Sequence, residues 1–214
     1  PYDHSGAQGY IKNNLKGYTI DSIANIDIQN ITMEWFDYIL KNKTRPTFLK
    51  DKINYQVMGT NEWKSASNIN DFDKNSLKFY INQNNELSLE KELNKNFSLL
   101  KIDFRDRSNS EGLIKQKDNV LDATIYKSDA ITFSSKTFEK PIEFTGNFVG
   151  NLTFSVNKKD VDLYMKLYEQ NKKGEYFLLS TYYGRASYAK NPEKRKLLRE
   201  NKETVVALTN NEFV

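Results

Sequence analysis

The stretch DVDLYMKLYEQNKKGEYFLLSTYY, residues 160–183, decides the fold class of this chain. A polar loop that ends at Gly174 divides it into two runs, in which apolar side chains recur at every second position. The apolar positions of the first run are Val161, Leu163, Met165 and Leu167. A period of two is typical of half-buried β-strands, and two such runs around a short glycine-containing loop predict a β-hairpin.

Shorter runs of the same kind lie before this hairpin, and each is followed by turn-forming residues. They are INYQVMG (53–59), LKFYIN (77–82), LSLEKEL (87–93), AITFSS (130–135) and the glycine-punctuated stretch 136–156. Many short strands separated by turns are typical of a β-sandwich or jelly roll. The sequence therefore predicts a mainly β chain.

The segment ITMEWFDYILKN, residues 31–42, predicts a helix ahead of the β region. Its apolar residues recur at helical spacing, Asn30 is a suitable N-cap, and Pro46 lies beyond the end of the helix. The apolar stripe consists of Ile31, Trp35, Tyr38 and Ile39. A piece of about 48 residues with a single helix is too small to bury a core of its own. We therefore expect the stripe to be buried against the β region or against another part of the protein.

The composition excludes several classes of protein. The chain has 214 residues and no cysteine, which excludes disulfides, thiol catalysis and cysteine-ligated zinc. Its 32 basic and 28 acidic residues are interspersed and leave a net charge of only +4, whereas nucleic-acid binders gather basic residues on one face. No apolar run approaches the roughly 18 residues of a membrane span, so we expect neither a nucleic-acid nor a membrane partner. A cytoplasmic or a secreted location and a homo-oligomeric state stay open.

The motifs of common catalytic and metal sites do not occur. The chain has no G-x-S-x-G nucleophile elbow, no phosphate-binding G-x-x-x-x-G-K-[ST] loop and no H-E-x-x-H helix. NDFDKNS (70–76) resembles a calcium loop but lacks the required glycine and closing glutamate. DFRDRSNSEG (103–112) is typical of a loop with surface ion pairs, and KNPEKRKLLREN (190–201) of a solvated connector. The sequence therefore predicts no metal and no cofactor.

His4, in PYDHSG at residues 1–6, is the only histidine of the chain. The pKa of an unperturbed imidazole lies near neutrality, so this side chain has the chemistry of a general base for a nucleophile. A lone histidine in a polar loop is also commonly an incidental surface residue. The residues by themselves leave both interpretations open.

Four stretches together resemble the CocE/NonD group of serine hydrolases, which contains cocaine esterase, the α-amino-acid ester hydrolases and X-Pro dipeptidyl-peptidase. PYDH (1–4) matches the G-P-aromatic-x-H signature around the catalytic histidine of that family, without its leading glycine. EWFDYILKN (34–42) is similar to the helix that follows, and INYQVMGTNEWKSA (53–66) to the first strands of the next domain. Residues 129–180 are similar to the middle of that domain, with Glu169 in place of an aspartate.

The resemblance implies the C-terminal part of a serine hydrolase. Residues 1–48 would be the tail of an α/β-hydrolase domain, and residues 49–214 a galactose-binding-like jelly-roll β-sandwich, truncated at its end. His4 would be the base of a triad whose serine and aspartate lie on a preceding α/β-hydrolase portion, so the chain alone would be inactive. The substrate would be a small ester, an amide or an X-Pro peptide. The residues expected to wall the substrate pocket are Trp63, Phe104 and Tyr126.

A different class of function stays open beside this one. A jelly roll can also be a stand-alone binding module for carbohydrate or protein, without catalysis. In that interpretation exposed aromatic residues such as Tyr182 and Tyr183 form the binding platform, and His4 is incidental. Aromatic residues are also common in cores and turns, which is the plainer interpretation of the three expected wall residues.

Overall fold

The computed structural model describes residues 13–106, 119–125 and 129–210. The chain divides into two compact units, Pro1–Glu143 and Phe144–Val214. Strands predominate over helices in the described residues, which confirms the predicted mainly β class. The boundary expected between residues 48 and 49 lies inside the first unit and stays a prediction.

The first unit combines a helix with short strands in small sheets. Its elements are β1 (Asn14–Leu15), β2 (Tyr18–Thr19), α1 (Ile28–Lys41), β3 (Ile53–Val57), β4 (Glu62–Ala66), β5 (Tyr80–Ile81), β6 (Glu86–Ser88), β7 (Leu121–Asp122) and β8 (Ser134–Ser135). β1 pairs with β2, β3 with β4 and β5 with β6, all antiparallel, while β8 joins β6 in parallel. Strands β3, β5, β6 and β8 overlap the runs predicted from the sequence.

The second unit has one hydrophobic core between two pairs of strands. Its strands are β9 (Val149–Phe154), β10 (Asp162–Gln170), β11 (Tyr176–Arg185) and β12 (Thr204–Thr209). β9 pairs with β12 and β10 with β11, both antiparallel. Side chains from all four strands pack on the buried centre, which consists of Ala186, Val206 and Leu208. Packing of one strand pair on the other through such a core is the arrangement expected of a β-sandwich.

The hairpin predicted from residues 160–183 is present as β10 and β11. Partly buried and exposed positions alternate along the first half of β10, as a period of two requires. The expectation that Leu167 faces the core was wrong, because its side chain is exposed. A β-bulge between Leu167 and Tyr168 shifts the register at this point and changes which side chains face the core.

α1 begins earlier than the sequence predicted. The carboxylate of Asp27 accepts a hydrogen bond from the main-chain N–H of Asn30 at 2.9 Å, so the predicted start at Ile31 and the predicted cap at Asn30 were wrong. An aspartate at this position satisfies a main-chain N–H of the first turn, which has no partner within the helix. Asn30 instead donates its side-chain amide to Glu34 at 2.8 Å.

No helix in the described residues has the length and apolar character needed to cross a membrane.

The apolar stripe of α1 is covered on one side only. Ile31 and Tyr38 are half-buried, whereas Trp35 is 40% exposed and Ile39 is 51% exposed. The ring of Trp35 lies 5.7 Å from that of Tyr38, in a tilted arrangement. The expectation that the whole stripe is buried was therefore wrong for the described chain, which leaves more than one turn of the stripe in water.

The carboxylate of Asp160 joins three segments of the second unit. It accepts hydrogen bonds from the main-chain N–H of Val161 at 3.0 Å, from Ser187 N and Oγ at 3.0 and 2.6 Å, and from Arg195 at 2.9 Å. Burial raises the pKa of this carboxyl group, but the bonds from Ser187, Arg195 and Val161 outweigh it and lower the pKa to about 2. The connector 190–201 is thus fixed at Arg195 rather than fully solvated.

This network predicts how acid affects the stability of the second unit. The folded-state pKa of Asp160 lies below the value of about 3.9 for an unfolded aspartate, so its contribution is complete above about pH 4 and is lost as the pH falls through about 2. Asp160→Asn should lower the free energy of unfolding at pH 7 by roughly 1–3 kcal/mol. The difference from the wild-type chain should shrink between about pH 4 and pH 2.

Urea unfolding at a series of pH values measures this difference. Glu169→Gln, which removes an exposed carboxylate from β10, is the control and should leave the free energy of unfolding nearly unchanged. If the decrease in the free energy of unfolding caused by Asp160→Asn stayed constant between pH 7 and pH 2, the ionised carboxylate would not be what stabilises this fold.

Candidate functional site

The segment before α1 is fixed to the β3–β4 hairpin, and we call this contact the Asp21 junction (residues 20–24 with residues 56–63). The segment enters through the hairpin β1–β2, which is closed by a 3.0 Å hydrogen bond from Ile20 N to Asn13 O. Ser22–Ala24 then form a short 3-10 turn that leads toward α1. The junction is a candidate functional site because it joins the N-terminal part of the chain, which carries His4, to the first strands of the β region.

The carboxylate of Asp21 is the centre of the junction. Its Oδ2 accepts hydrogen bonds from the side-chain amide of Gln56 at 2.6 Å, from Gly59 N at 2.8 Å and from Asn61 N at 3.4 Å. Gly59 and Asn61 lie in the turn between β3 and β4 and have positive φ values of 81° and 57°. These backbone conformations direct two main-chain N–H groups of one tight turn at the same carboxylate oxygen, a common way for a turn to bind an anion.

Asn61, in the turn of the hairpin, binds the segment that contains Asp21. Its side-chain oxygen accepts hydrogen bonds from Ser22 Oγ at 3.2 Å and from Ile23 N at 3.0 Å. Asparagine tolerates the left-handed conformation better than other non-glycine residues, so the turn and the contact both favour this residue. Asp21 of the segment thus binds the turn of the hairpin, and Asn61 of that turn binds the segment.

Trp63, one of the expected wall residues, completes the junction. Its indole N–H donates to the main-chain oxygen of Ile23 at 2.8 Å, and its ring packs edge-on against Phe48 with centroids 4.8 Å apart. The apolar residues Ile20, Ala24 and Val57 are buried in the same unit. Trp63 is therefore a structural member of the junction, and its role in a substrate pocket stays a prediction.

Phe104, another of the expected wall residues, lies on the surface. Phe104 is 80% exposed and lies beside the surface ion pair of Asp103 and Arg105, which the sequence predicted. That pair lowers the pKa of Asp103, chiefly through the side-chain hydrogen bond from Arg105. His4 and Tyr126 lie outside the described residues. The pocket-wall role of Phe104 also stays a prediction.

Asp71 of NDFDKNS has a structural role in a helical turn. Asp71 accepts a hydrogen bond from the main-chain N–H of Asn68 at 3.0 Å, and Asn68 caps the N-terminus of the 3-10 turn Ile69–Lys74 in return. This capping box agrees with the turn that the sequence predicted for these residues. No group of His, Asp and Glu side chains in the described ranges is placed to hold a metal ion.

Sequence reasoning missed Asp21 and Asn61. Each belongs to a segment that the sequence assigns to a polar loop or a turn, where aspartate and asparagine are the usual residues. Their partners lie some 40 positions apart along the chain, as in the bond from Asn61 N to Asp21. A single sequence contains no pattern that pairs two such loops.

Comparison with known proteins identifies the β region. The family model of the X-Pro dipeptidyl-peptidase C-terminal non-catalytic domain matches residues 49–214. The matched range includes β3 and β4, the hairpin side of the Asp21 junction, and excludes α1. The match supports the resemblance drawn from the sequence motifs. No curated protein matches the chain.

The reciprocal contact predicts a specific loss of stability on Asn61→Gly. Glycine adopts the left-handed conformation of this turn without strain, so the substitution removes the two accepted hydrogen bonds and leaves the turn geometry intact. We expect the free energy of unfolding to fall by about 1–2 kcal/mol, measured by urea unfolding.

Asn84→Gly is the matched control, because Asn84 has a similar φ of 59° but lies in the turn before β6. It should change the free energy of unfolding by much less than Asn61→Gly. Equal effects of the two substitutions would mean that the Asn61 side chain does not hold the segment.

Proposed function

The chain belongs to the family of X-Pro dipeptidyl-peptidase C-terminal non-catalytic domains, and we propose that it is the C-terminal portion of a serine hydrolase. The enzyme cleaves an ester or an amide, including the acyl or X-Pro dipeptidyl substrates of its relatives. This chain contributes the triad histidine, His4, and a β domain that carries no catalytic group. The serine and the aspartate come from the preceding α/β-hydrolase portion, and no cofactor is required.

In this proposal His4 acts as general base and then as general acid. One ring nitrogen takes the proton of the serine hydroxyl as it attacks the carbonyl carbon, and later delivers it to the leaving group. The other nitrogen donates to the aspartate, which fixes the tautomer and stabilises the imidazolium. The support for His4 is the PYDH signature, followed by the EWFDYILKN helix in the order that the family has.

The Asp21 junction is the observation that carries the proposal. It attaches the segment that follows His4 to the first hairpin of the family-matched domain, by polar contacts in both directions. Nine residue-to-residue steps separate His4 from Asn13 and span at most about 32 Å, so the junction limits how far the base can lie from the β domain. A domain without catalytic groups can thereby influence catalysis, because it holds the chain on which the base is carried.

The first test uses the enzyme that contains both the hydrolase portion and this chain. His4→Ala should lower kcat by about 10⁴-fold or more, since the members of a triad act as a unit. The melting temperature should stay unchanged, because a polar loop residue contributes little packing. An enzyme that kept more than about a tenth of its kcat after this substitution would rule out His4 as the base, given that expected loss.

The 214-residue chain by itself should hydrolyse p-nitrophenyl acetate no faster than the buffer does. A base without a nucleophile or an oxyanion hole provides little acceleration. Turnover by this chain that disappears in His4→Ala would reveal a complete site within these residues and contradict the division of the triad.

A binding module is the second candidate, and one feature of the second unit favours it. Tyr164 and Tyr183 lie opposite each other on β10 and β11, with ring centroids 6.2 Å apart and more than half of each residue exposed. Lys166 lies 5.2 Å from the ring of Tyr164. Tyr182, the other residue expected in a platform, packs on the core instead, so a platform would use Tyr164 and Tyr183.

A glycan array distinguishes the two candidates. The serine hydrolase proposal expects no retained sugar on the 214-residue chain. Sugar binding that is lost in Tyr183→Ala, but kept in the matched exposed substitution Val205→Ala on β12, would favour the binding module.

A further inference from the structure

Two segments that are far apart in the sequence lie side by side in the second unit, and we call them together the basic patch (residues 157–160 and 190–203). The main-chain N–H of Leu198 donates to the oxygen of Lys159 at 2.8 Å. The N–H of Asn201 donates to the oxygen of Val156, also at 2.8 Å. The two segments therefore run antiparallel here, and the fold brings together basic residues that are separate in the sequence.

The basic patch carries the whole net charge of the chain. Its 18 residues include eight basic and four acidic residues, whereas the remaining 196 residues include 24 of each. Two of the basic residues, Lys158 and Lys159, belong to the first segment and six belong to the second, and all eight are exposed. The excess of positive charge, which is small for the chain as a whole, is thus concentrated in two neighbouring segments.

Only one of these eight basic side chains is paired within the described part of the chain. Arg195 bonds to Asp160 at 2.9 Å, as part of the network that also holds Ser187. The other seven form no ion pair with a carboxylate of the described residues. Like charges that are held close together repel one another, so a fixed group of unpaired cations favours the approach of an anionic partner.

Contacts of the main chain and of the core hold the basic patch in place. Lys196 N donates to the main-chain oxygen of Ser187 at 2.8 Å, and the side chain of Leu198 packs on the core of the second unit. The carboxylate of Asp160 fixes the connector at Arg195. None of these contacts uses a lysine side chain, so the lysines can bind a partner without loss of the contacts that build the fold.

The signs of the charges indicate which kind of anionic partner fits. Glu193, Glu200 and Glu203 lie among the cations, are exposed and form no ion pair within the described residues. They repel a nucleic acid or an anionic lipid surface, which is negative throughout, whereas a protein can place cations opposite them. Leu197, next to Lys196, is 50% exposed and offers an apolar contact of the kind that protein interfaces use.

We propose that the basic patch is a docking surface for a protein segment of net negative charge that also carries some cations. Its charges steer the partner toward the surface, and the alternation of signs together with Leu197 selects how the partner is placed. The patch lies within the family-matched non-catalytic domain. The inference therefore does not depend on the proposed function or on the role of His4.

Charge neutralisation tests the basic patch, because the second unit contains a matched pair of lysines elsewhere. Lys158 and Lys159 lie in NKKD (157–160), and Lys172 and Lys173 lie in NKKG (171–174), the loop between β10 and β11. All four lysines are exposed. Lys158→Gln with Lys159→Gln and Lys172→Gln with Lys173→Gln thus remove the same charge from almost the same local sequence, one pair inside the patch and the other outside it.

The probe is a fluorescently labelled peptide of glutamate and lysine with a net negative charge, and its binding to the 214-residue chain is measured by anisotropy at low salt. Neutralising Lys158 and Lys159 should weaken binding by about threefold to tenfold. Lys196→Gln with Arg199→Gln, in the other segment, should weaken it by a similar factor. The control pair should change it by less than about twofold, and added salt should weaken binding of the wild-type chain.

Three results would overturn the proposal. The peptide could fail to bind the wild-type chain at low salt. The control pair could weaken binding as much as the patch pairs do, so that the peptide responds only to the net charge of the chain. An oligonucleotide of the same net charge, or vesicles that contain phosphatidylglycerol, could bind more tightly than the peptide, which would rule out a protein as the partner. Urea unfolding of each variant confirms its fold beforehand, and the two patch pairs test the surface independently.

Discussion

The carboxylate of Asp21 is the constraint on which the N-terminal part of this structure depends. A short segment with a single 3-10 turn has little regular structure to hold it in place, so its position must come from specific contacts. Three donors from β3 and the turn after it converge on this one carboxylate, and Asn61 binds the segment in return. Because α1 begins at Ile28, only a few residues later, this contact constrains where the helix starts.

The fold was predictable where the information is local. A period of two in residues 160–183 produces β10 and β11, and the spacing of apolar residues produces α1, since both patterns depend on near neighbours. The bulge at Leu167 was not predictable, because it depends on how two strands fit together rather than on the pattern of either strand. The sequence predicted Asn30 as the N-cap of α1, because Asn30 and Asp27 are both suitable cap residues. The fixed path of the preceding segment selects Asp27 in the structure.

The candidate site was predictable only in part, for a related reason. The family of the β domain could be identified from short stretches read in order, whereas the role of His4 stays a prediction. The pairing of Asp21 with the turn of β3–β4 could not, since each partner is an ordinary loop residue and the contact exists only in three dimensions.

The hydrogen bonds around Asp160 also explain why this partly buried carboxylate does not act as a base toward Ser187. Ser187 donates its hydroxyl to Asp160 at 2.6 Å, a geometry that superficially resembles a nucleophile and its base. A base with a pKa of about 2 has almost no affinity for a proton at neutral pH, so Asp160 cannot take the proton of a serine hydroxyl there. The hydrogen bonds that make the carboxylate a good structural anchor are the same ones that lower its pKa. In the proposed enzyme the base is instead the imidazole of His4, because the ordinary pKa of an imidazole lies near neutrality.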